Sequence, residues 1–299
     1  AEEFGSGYRA VQAGATALPR TTIDSRVQTA RIKGLKPSFR KEAPRIHTRG
    51  RLGEMHIVIP DCQVRPGVNT EHLEHVGNYI VEKKPDVIIC IGDFFDMESL
   101  SFHDKGKLAF EGRRYLLDIK HGRAAMERLL KPIEDYNRTA REKYTPRMVF
   151  TLGNHEERIL RVADCFPEFA GKFALDDLGL ADYGWEQIPF LKPINIQGIN
   201  YCHYFTSGVM GRPVSSAAAL LRDQQGSATM GHVQHTDIAM HKKTQQIALF
   251  CGTCYTHNER YLGHQGNVQR RQIVVKHEVD QGCYDPMFVS LAYLAKAYS

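Results

Sequence analysis

Polar side chains that can bind metals or move protons follow several apolar runs of the chain. Residues 151–157 read Thr-Leu-Gly-Asn-His-Glu-Glu, directly after a strand-like run at residues 147–150. Such a stretch places an amide oxygen, an imidazole and a carboxylate at the carboxyl end of a strand, where α/β proteins build their sites. Alone, the stretch could equally be a turn followed by a helix cap. Its weight as a site therefore depends on partners elsewhere in the chain.

Four further motifs supply such partners in a defined order. Upstream, residues 61–63 read Asp-Cys-Gln and residues 92–96 read Gly-Asp-Phe-Phe-Asp, each at the end of an apolar run. Downstream, residues 201–203 read Tyr-Cys-His and residues 231–235 read Gly-His-Val-Gln-His. Carboxylates, amides and imidazoles are suited to binding divalent metals, and five ordered motifs rarely coincide by chance.

The order of these motifs resembles the calcineurin-like metallophosphoesterase superfamily, over the segment from Asp61 to His235. The resemblance implies an α/β fold, a metallophosphoesterase-like sandwich of two packed mixed β-sheets flanked by helices. It also implies a hydrolase with two divalent metal ions, which neutralise the phosphoryl oxygens and activate water.

The resemblance also implies roles for individual residues. Asp93 would bridge the two metals and Asp61 would bind the first, while the second would be completed by Asn154, His203 and His232. His155 would act as a general acid on the leaving oxygen, and Asp96 would hold its other ring nitrogen.

Two positions depart from the superfamily pattern. Gln63 stands where His usually follows the first Asp, and Gln234 stands where the last motif usually has its second His, with His235 one residue later. An amide oxygen is a harder and weaker donor than imidazole, so the first site should favour manganese, or else magnesium, over zinc or iron. Gln234 and His235 are competing candidates for a ligand of the first metal, because neighbouring side chains of an extended segment point to opposite faces and only one of the two can face the metal.

The residues after the second motif bear on the substrate. Phosphoprotein phosphatases usually continue this motif with Arg-Gly, and that Arg clamps a terminal phosphate, whereas Met97 and Glu98 stand here. A diester carries one charge fewer, so a phosphodiesterase is favoured, most of all a nuclease similar in kind to the SbcD-type repair nucleases. The alternatives are a phosphomonoesterase of protein or small-molecule phosphates, and a metal-impaired relative that binds nucleic acid without turnover. The stretch from residue 252 to residue 287 is similar to phosphoesterases that bacteriophages carry.

The charge of the chain is unevenly distributed. The 299 residues carry a net charge of +5, but residues 1–51 hold eleven Lys or Arg and four Asp or Glu, a balance of +7. This basic arm is either a contact for nucleic-acid phosphates or a solvated extension, and residues 1–6 read as a cloning remnant. Nucleic acid is the expected partner.

Composition predicts the broad class of the protein. With 42% hydrophobic and 24% charged residues, residues 52–299 can form one catalytic domain. No apolar run is long enough for a transmembrane helix and no signal-peptide core opens the chain, so we expect no membrane association.

The seven cysteines are scattered and odd in number, which indicates free thiols and a cytoplasmic protein. The pair Cys251 and Cys254 has zinc or redox spacing but lacks a second pair, so a structural turn is favoured.

The elements that must position the motifs follow from hydrophobic periodicity. Strands at residues 55–60 and 86–91 flank a helix that ends near Lys84, an order that predicts a right-handed parallel crossover. An insertion at about residues 100–146 has helical spacing in its second half. Further strands are expected at residues 147–152, 194–201, 228–231, 238–241, 247–251 and 272–279. We also expect a helix that begins at Pro213 and a closing helix at residues 285–298.

Overall fold

The computed structural model of the chain describes residues 53–259 and 262–299, the side chains of residues 264 and 265 excepted. Two mixed β-sheets pack face to face, and helices cover their outer faces. The predicted sandwich is therefore confirmed. The predicted basic arm at residues 1–51, with its cloning remnant, lies outside the described residues.

The described helices and strands follow the chain in an alternating order at first and a strand-rich order later. They are β1 (Glu54–Ile59), α1 (Glu71–Lys83), β2 (Val87–Cys90), α2 (Tyr115–Thr139), β3 (Arg147–Thr151), α3 (Arg158–Cys165), β4 (Glu186–Ile188), β5 (Ile194–Ile196), β6 (Ile199–Tyr201), β7 (Thr206–Ser207), β8 (Arg212–Pro213), α4 (Ala217–Gln224), β9 (Ser227–Met230), β10 (Thr236–Met240), β11 (Ile247–Cys251), α5 (Gly263–Gly266), β12 (Gln272–Asp280), β13 (Cys283–Ser290) and α6 (Leu291–Tyr298).

The first sheet brings three of the motifs to one edge. Its strand order is β13-β12-β1-β2-β3-β4, and β1 to β4 run parallel. The register aligns Ile59 with Cys90 and Cys90 with Phe150, so the three strands end at the same level. The motifs that begin a few residues later at Asp61, Asp93 and Asn154 therefore emerge side by side.

The second sheet delivers the two downstream motifs to the same end of the sandwich. Its order is β10-β11-β9-β6-β5, with β11, β9 and β6 parallel and the edge strands antiparallel. Tyr201 pairs with Thr229, and beyond these strands the N–H of Gly231 donates to the carbonyl of His203 at 2.9 Å. This bond holds the loops that carry His203 and His232 together.

Three apolar layers hold the architecture. Between the sheets, Val58 and Ile89 pack with Ile199 and Leu249 from the facing sheet. A second layer lies under α1, α2 and α6, and a third lies under α4. Each fully buried aliphatic side chain contributes roughly 1.5–3 kcal/mol relative to exposure, so these layers supply the rigid support on which the loops are built.

The segment predicted as an insertion contains the expected helix in its second half. Helix α2 spans 25 residues, and its buried face includes Met126, Leu129 and Ile133 at the spacing that the sequence shows. The first half of the insertion forms three short 3₁₀ turns between residues 98 and 110. Those turns lie beside the candidate site and form one wall of its cleft.

Two predicted helix starts are wrong. Pro213 pairs with Thr206 in a two-stranded ribbon, and the helix begins at Ala217 because the Ser216 hydroxyl accepts from the N–H of Ala219 at 3.2 Å. The closing helix begins at Leu291 and not at residue 285, because residues 283–290 extend the first sheet as its edge strand β13.

The cysteines agree with the expectation of free thiols. All seven cysteines fall within the described residues and are free thiols. The N–H of Cys254 donates to the carbonyl of Asp61 at 2.9 Å and Thr253 forms a β-bridge with Arg271, so the segment from Cys251 to Cys254 continues from β11 in a structural role beside the first motif, without the predicted turn. Among the described residues, no helix combines the length and the apolar character that crossing a membrane requires.

Candidate metal centre and active site

Ligand-type atoms converge on Asp93, the acidic residue directly after Gly92. The Nε2 atom of His203 lies 3.2 Å from Asp93 Oδ2 and 3.0 Å from Asn154 Oδ1. Asp93, His203 and His232 each offer a ligand atom within 4.8 Å of the others. The structure thus gathers an aspartate, an amide and two imidazoles from four different strands, at the edge that the motif order predicted.

The glycines of the motifs make this approach possible. A Cβ atom at Gly153 would collide with the Asp93 carboxylate, and one at Gly231 would collide with the Asp61 carboxylate. Asp93 itself has a φ of 50°, in the left-handed region where a side chain other than glycine is strained. The close packing of carboxylates against backbone therefore explains why glycine precedes the polar residue in these motifs.

His203 presents its Nε2 atom to the centre through a bond on its other nitrogen. The carbonyl of Ile91 lies 2.8 Å from His203 Nδ1, so this nitrogen donates and the ring is fixed. Burial lowers the pKa of His203, but the Asp93 carboxylate outweighs it and raises the pKa to about 9. As a metal ligand, His203 would be a neutral imidazole that holds a divalent cation in place of that proton.

His232 and Asp61 occupy the other side of the centre. The backbone N–H of His232, at a φ of 64°, donates to Asp61 Oδ1 at 3.1 Å. Burial, with the nearby His203, lowers the pKa of His232 to about 4, which keeps its ring neutral and able to bind a metal. Burial raises the pKa of Asp61 to about 7, and the negative charge of Asp93 contributes to this rise.

A family model shows which family the chain belongs to. The model described as calcineurin-like phosphoesterase matches residues 53–263, more than half of the chain. The chain belongs to the calcineurin-like phosphoesterase family. It is therefore a metal-dependent phosphoesterase, a hydrolase, as the motif order predicted. No curated protein matches the sequence.

Several solved structures are similar to the chain. Vps29 from Entamoeba histolytica, as a single mutant, has 13% identity and a TM-score of 0.35, covering 79% of this chain and 98% of its own. Wild-type Vps29 complexed with Zn²⁺ has 12% identity and a TM-score of 0.35, covering 79% and 99%. A conserved uncharacterized protein from Streptococcus pneumoniae, a predicted phosphoesterase, has 12% identity and a TM-score of 0.32, covering 79% and 97%. The family assignment rests on the family model and not on these likenesses.

The residues present fit the divalent metal ions on which calcineurin-like phosphoesterases depend. Asp61 Oδ2 is fully buried and has no hydrogen-bond partner among the described residues, although a second carboxylate, Asp93, lies nearby. An unpaired buried carboxylate oxygen is costly unless a cation neutralises it. Asp61, Asp93, Asn154, His203 and His232 together offer the oxygen and nitrogen donors that divalent metals prefer.

The predicted acid–base pair lies beside the metal donors. His155 Nδ1 is 2.9 Å from Asp96 Oδ1, although the contact is off the line of a hydrogen bond, and His155 Nε2 is 3.7 Å from Asp93 Oδ2. Burial lowers the pKa of His155, but Asp93 and Asp96 outweigh it, and the net shift is upward. Burial opposes ionisation of Asp96, yet His155, Arg65 and Arg158 lower the pKa of Asp96 to about 2. The geometry suits a protonated imidazole whose Nε2 faces the reacting centre.

Of the three residues at the positions that depart from the family pattern, Gln63 lies beside the cleft, Gln234 bonds a tyrosine and His235 lies on an outer surface. Gln63 is buried beside the cleft, with its N–H bonded to the carbonyl of Asp93 at 2.8 Å. Gln234 Oε1 accepts from the Tyr255 hydroxyl at 3.0 Å. The His235 ring is exposed and packs against Phe250, on the outer layer of the second sheet. Gln234 therefore remains the better candidate of the two.

Glu156 is a structural residue that the sequence interpretation gave no role. Its fully buried carboxylate accepts from the backbone N–H groups of Asp93 at 3.0 Å, Gly153 at 2.8 Å and Phe95 at 2.9 Å. Burial and the charge of Asp93 raise the pKa of Glu156 against the effect of these donors. Glu156 thus ties the second and third motifs together. The sequence signal for this structural role was that Glu156 is the last residue of the Gly-Asn-His-Glu motif.

A cleft of about 550 Å³ opens beside His155 and Asp96. Its charged lining residues among those described are Arg65, Asp96, Glu98, Asp104, Lys107, Arg113, Arg158 and Glu259. The four cations each contact a carboxylate of this set, at distances from 2.7 Å to 3.5 Å. In its described part, the cleft beside the acid–base pair therefore has as many carboxylates as Lys and Arg side chains, and its charge is balanced.

Proposed function

We propose that the chain is a divalent-metal-dependent phosphodiesterase that hydrolyses nucleic-acid phosphodiesters, with manganese as the preferred metal. The balanced charge of the cleft carries this proposal. A terminal phosphate of a monoester carries up to two negative charges and calls for unpaired cations, whereas a diester carries one. In the described part of the cleft, the cations already have carboxylate partners, so it suits the less charged substrate.

The position that follows Asp96 supports the same choice. Met97 is fully buried and has a φ of 49°, so it offers no charge to a substrate. Arg158 lies nearby, but its Nη1 donates to the carbonyl of Asp96 at 2.7 Å and lies 3.5 Å from the Asp96 carboxylate. Arg158 therefore braces the second motif and is not free to clamp a terminal phosphate.

The catalytic roles follow from where each side chain lies. When bound, the divalent ions supply charge for the phosphoryl oxygens and an activated water. Asp61, Asp93, Asn154, His203 and His232 would hold these ions. His155 Nε2 faces the same centre and donates its proton to the leaving oxygen, while Asp96 orients the ring from the opposite nitrogen.

The residue types at two motif positions support manganese. Where the family pattern has two imidazoles that would serve the first metal, this chain has the amides of Gln63 and Gln234. Oxygen donors suit manganese and magnesium better than zinc, and neutral amides bind more weakly than imidazoles. We expect the ion at Asp61 to be the weaker bound of the two.

An aromatic pair at the edge of the cleft supports nucleic acid as the substrate. Phe102 follows Ser101, which lines the cleft, and its ring stacks on Phe166 at 6.3 Å. The Nζ atom of Lys105 lies 4.0 Å from the centre of the Phe102 ring, and both rings are partly exposed. Aromatic faces under a cation are a platform for unpaired bases and their phosphates. The balance of +7 in residues 1–51 adds attraction for a phosphate backbone.

A comparison of two nitrophenyl esters tests the diester assignment. With manganese, the protein should hydrolyse bis-p-nitrophenyl phosphate with a kcat/KM at least about tenfold above that for p-nitrophenyl phosphate, because the balanced cleft gives no extra attraction to the dianion. Rates with zinc should be lower than with manganese. The reverse substrate order would identify a phosphomonoesterase. Absence of hydrolysis with retained oligonucleotide binding would identify a metal-impaired binder.

Replacement of Phe102 by Ala tests the nucleic-acid assignment. Base stacking on an aromatic ring is worth about 1–3 kcal/mol, so KM for a single-stranded oligonucleotide should rise about tenfold. The KM for bis-p-nitrophenyl phosphate should not change, because that substrate is too small to use both sites. Tyr293→Ala, which removes an exposed ring from α6, is the matched control. Equal KM values for the oligonucleotide in wild type and Phe102→Ala would argue against this platform.

A further inference from the structure

Arg65 is a charged residue next to the acid–base pair that no motif contains. Its Nη1 donates to Asp96 Oδ2 at 2.8 Å and to Glu259 Oε1 at 2.7 Å. The Arg65 side chain is 17% exposed, and the side chains of Asp96 and Glu259 are 11% and 6% exposed. Ion pairs this deeply desolvated hold their geometry more firmly than surface pairs do.

The backbone brings Arg65 to Asp96 from the neighbouring strand. Beyond the end of β1, the N–H of Val64 donates to the carbonyl of Phe94 at 2.8 Å, and the N–H of Asp96 donates to the carbonyl of Val64 at 2.9 Å. These bonds extend the pairing of β1 and β2 past their ends. Arg65 and Asp96 are thus fixed to each other by main chain as well as by side chain.

Glu259 has anchors of its own. Its Oε1 lies 2.8 Å from His257 Nε2, and its N–H donates to Asn267 Oδ1 at 2.7 Å. The guanidinium therefore contacts two carboxylates that are held by separate segments of the chain. An Arg in that position has its charge satisfied before any substrate arrives.

We propose that Arg65 is a positioning residue: anchored by Glu259, it fixes the Asp96 carboxylate against which His155 is oriented for proton donation. This inference rests on the phosphodiesterase function proposed above. Asp96 uses one oxygen for His155 and the other for Arg65, so loss of Arg65 removes the hydrogen bond that fixes the plane of the carboxylate, and the longer 3.5 Å contact with Arg158 does not replace it. A misplaced general acid slows the step that needs the proton and leaves substrate binding intact.

A substrate pair that differs in its leaving group separates positioning from binding. The sugar alkoxide expelled from the dinucleotide thymidylyl-thymidine needs a proton, whereas the nitrophenolate expelled from bis-p-nitrophenyl phosphate leaves as an anion. For Arg65→Gln we expect kcat on the dinucleotide to fall by about 10- to 100-fold, and kcat on the nitrophenyl diester by less than about threefold. The KM values should not change.

A double-mutant cycle gives a second readout. Because Arg65 acts through Asp96, adding Arg65→Gln to Asp96→Asn should cause no further loss of kcat on the dinucleotide. Arg65→Lys should restore part of the loss, since an ammonium keeps a positive charge beside Asp96 but lacks the rigid planar geometry that fixes the donor nitrogen of the guanidinium. Arg147→Gln, which breaks the exposed 2.8 Å pair with Glu186, is the matched control and should behave as wild type.

The outcomes that would overturn the inference are distinct. A rise in KM for both substrates would show that Arg65 binds the phosphate, and additive losses in the double mutant would show that it acts independently of Asp96. If Arg65→Gln is too unstable to assay, Arg65→Gln with Glu259→Gln removes the unpaired carboxylate and carries the same expectation. If the wild type hydrolyses neither diester with manganese, the proposed function itself fails.

Discussion

Asp93→Asn is expected to abolish phosphodiester hydrolysis while leaving the fold intact. The asparagine oxygen can still accept from the backbone N–H of His155, which donates to Asp93 Oδ1 at 2.9 Å. Its NH₂ group then faces His203 Nε2, which accepts because His203 Nδ1 donates to a backbone carbonyl. The shape and the hydrogen bonds survive, but the anionic ligand atom between the donors is lost.

The expected magnitudes follow from that loss. Manganese affinity should fall by more than the roughly 10- to 100-fold that removal of an outer partner costs, and kcat on bis-p-nitrophenyl phosphate by about 10³-fold or more. Titration calorimetry with manganese measures the first and steady-state kinetics the second. Saturating manganese should raise the Tm of the wild type but not of Asp93→Asn.

Asp182→Asn supplies the matched control for this experiment. Asp182 is 72% exposed and contacts Arg123 at 3.6 Å on the protein surface. Its replacement should leave manganese binding and kcat unchanged. If Asp93→Asn binds manganese as tightly as this control, Asp93 is not a metal ligand and the assignment of the centre is wrong.

The parts of the site that the sequence could predict are those fixed by strand ends. Asp93 and Asn154 follow adjacent parallel strands, and His203 and His232 follow two paired strands of the other sheet. Because parallel strands in register end at one level, the residues that directly follow them lie close together, and this proximity depends little on the conformation of the loops. The motif order therefore predicted both the sandwich and the group around Asp93.

The parts that escaped prediction depend on loop conformation. Arg65 and Glu259 lie far apart in sequence and share no periodicity, so their contact with Asp96 had no sequence signal. The loops that bring them together contain Gln63, Asp93 and Met97 at positive φ angles of 44–50°. Sequence rarely indicates such conformations in residues other than glycine, because tertiary contacts and not local preference stabilise them.

The wrong closing helix has a different cause. Residues 291–298 are rich in Leu and Ala and do form α6, but residues 285–290 pair with β12, where Val289 lies opposite Ile273. Pro286 is compatible with this strand because β13 is the edge of the sheet and needs no donor on its outer side. The high helical propensity of residues 291–298 led the predicted helix to be extended over residues 285–290, which form the strand.

His155→Ala should separate proton donation from metal binding. The ring contacts Asp96 and faces the centre, whereas the bond to Asp93 comes from the backbone N–H, which alanine keeps. We therefore expect manganese affinity within about threefold of wild type and a loss of about 10²–10⁴-fold in kcat on thymidylyl-thymidine, the range of general acid catalysis. The loss on bis-p-nitrophenyl phosphate should be smaller, because its leaving group needs no proton. His121→Ala, on α2, controls for removal of an imidazole whose hydrogen bond among the described residues is with the Leu117 carbonyl of its own helix. Loss of manganese in parallel with kcat would instead make His155 a ligand, and the separation of acid from metal donors would have to be given up.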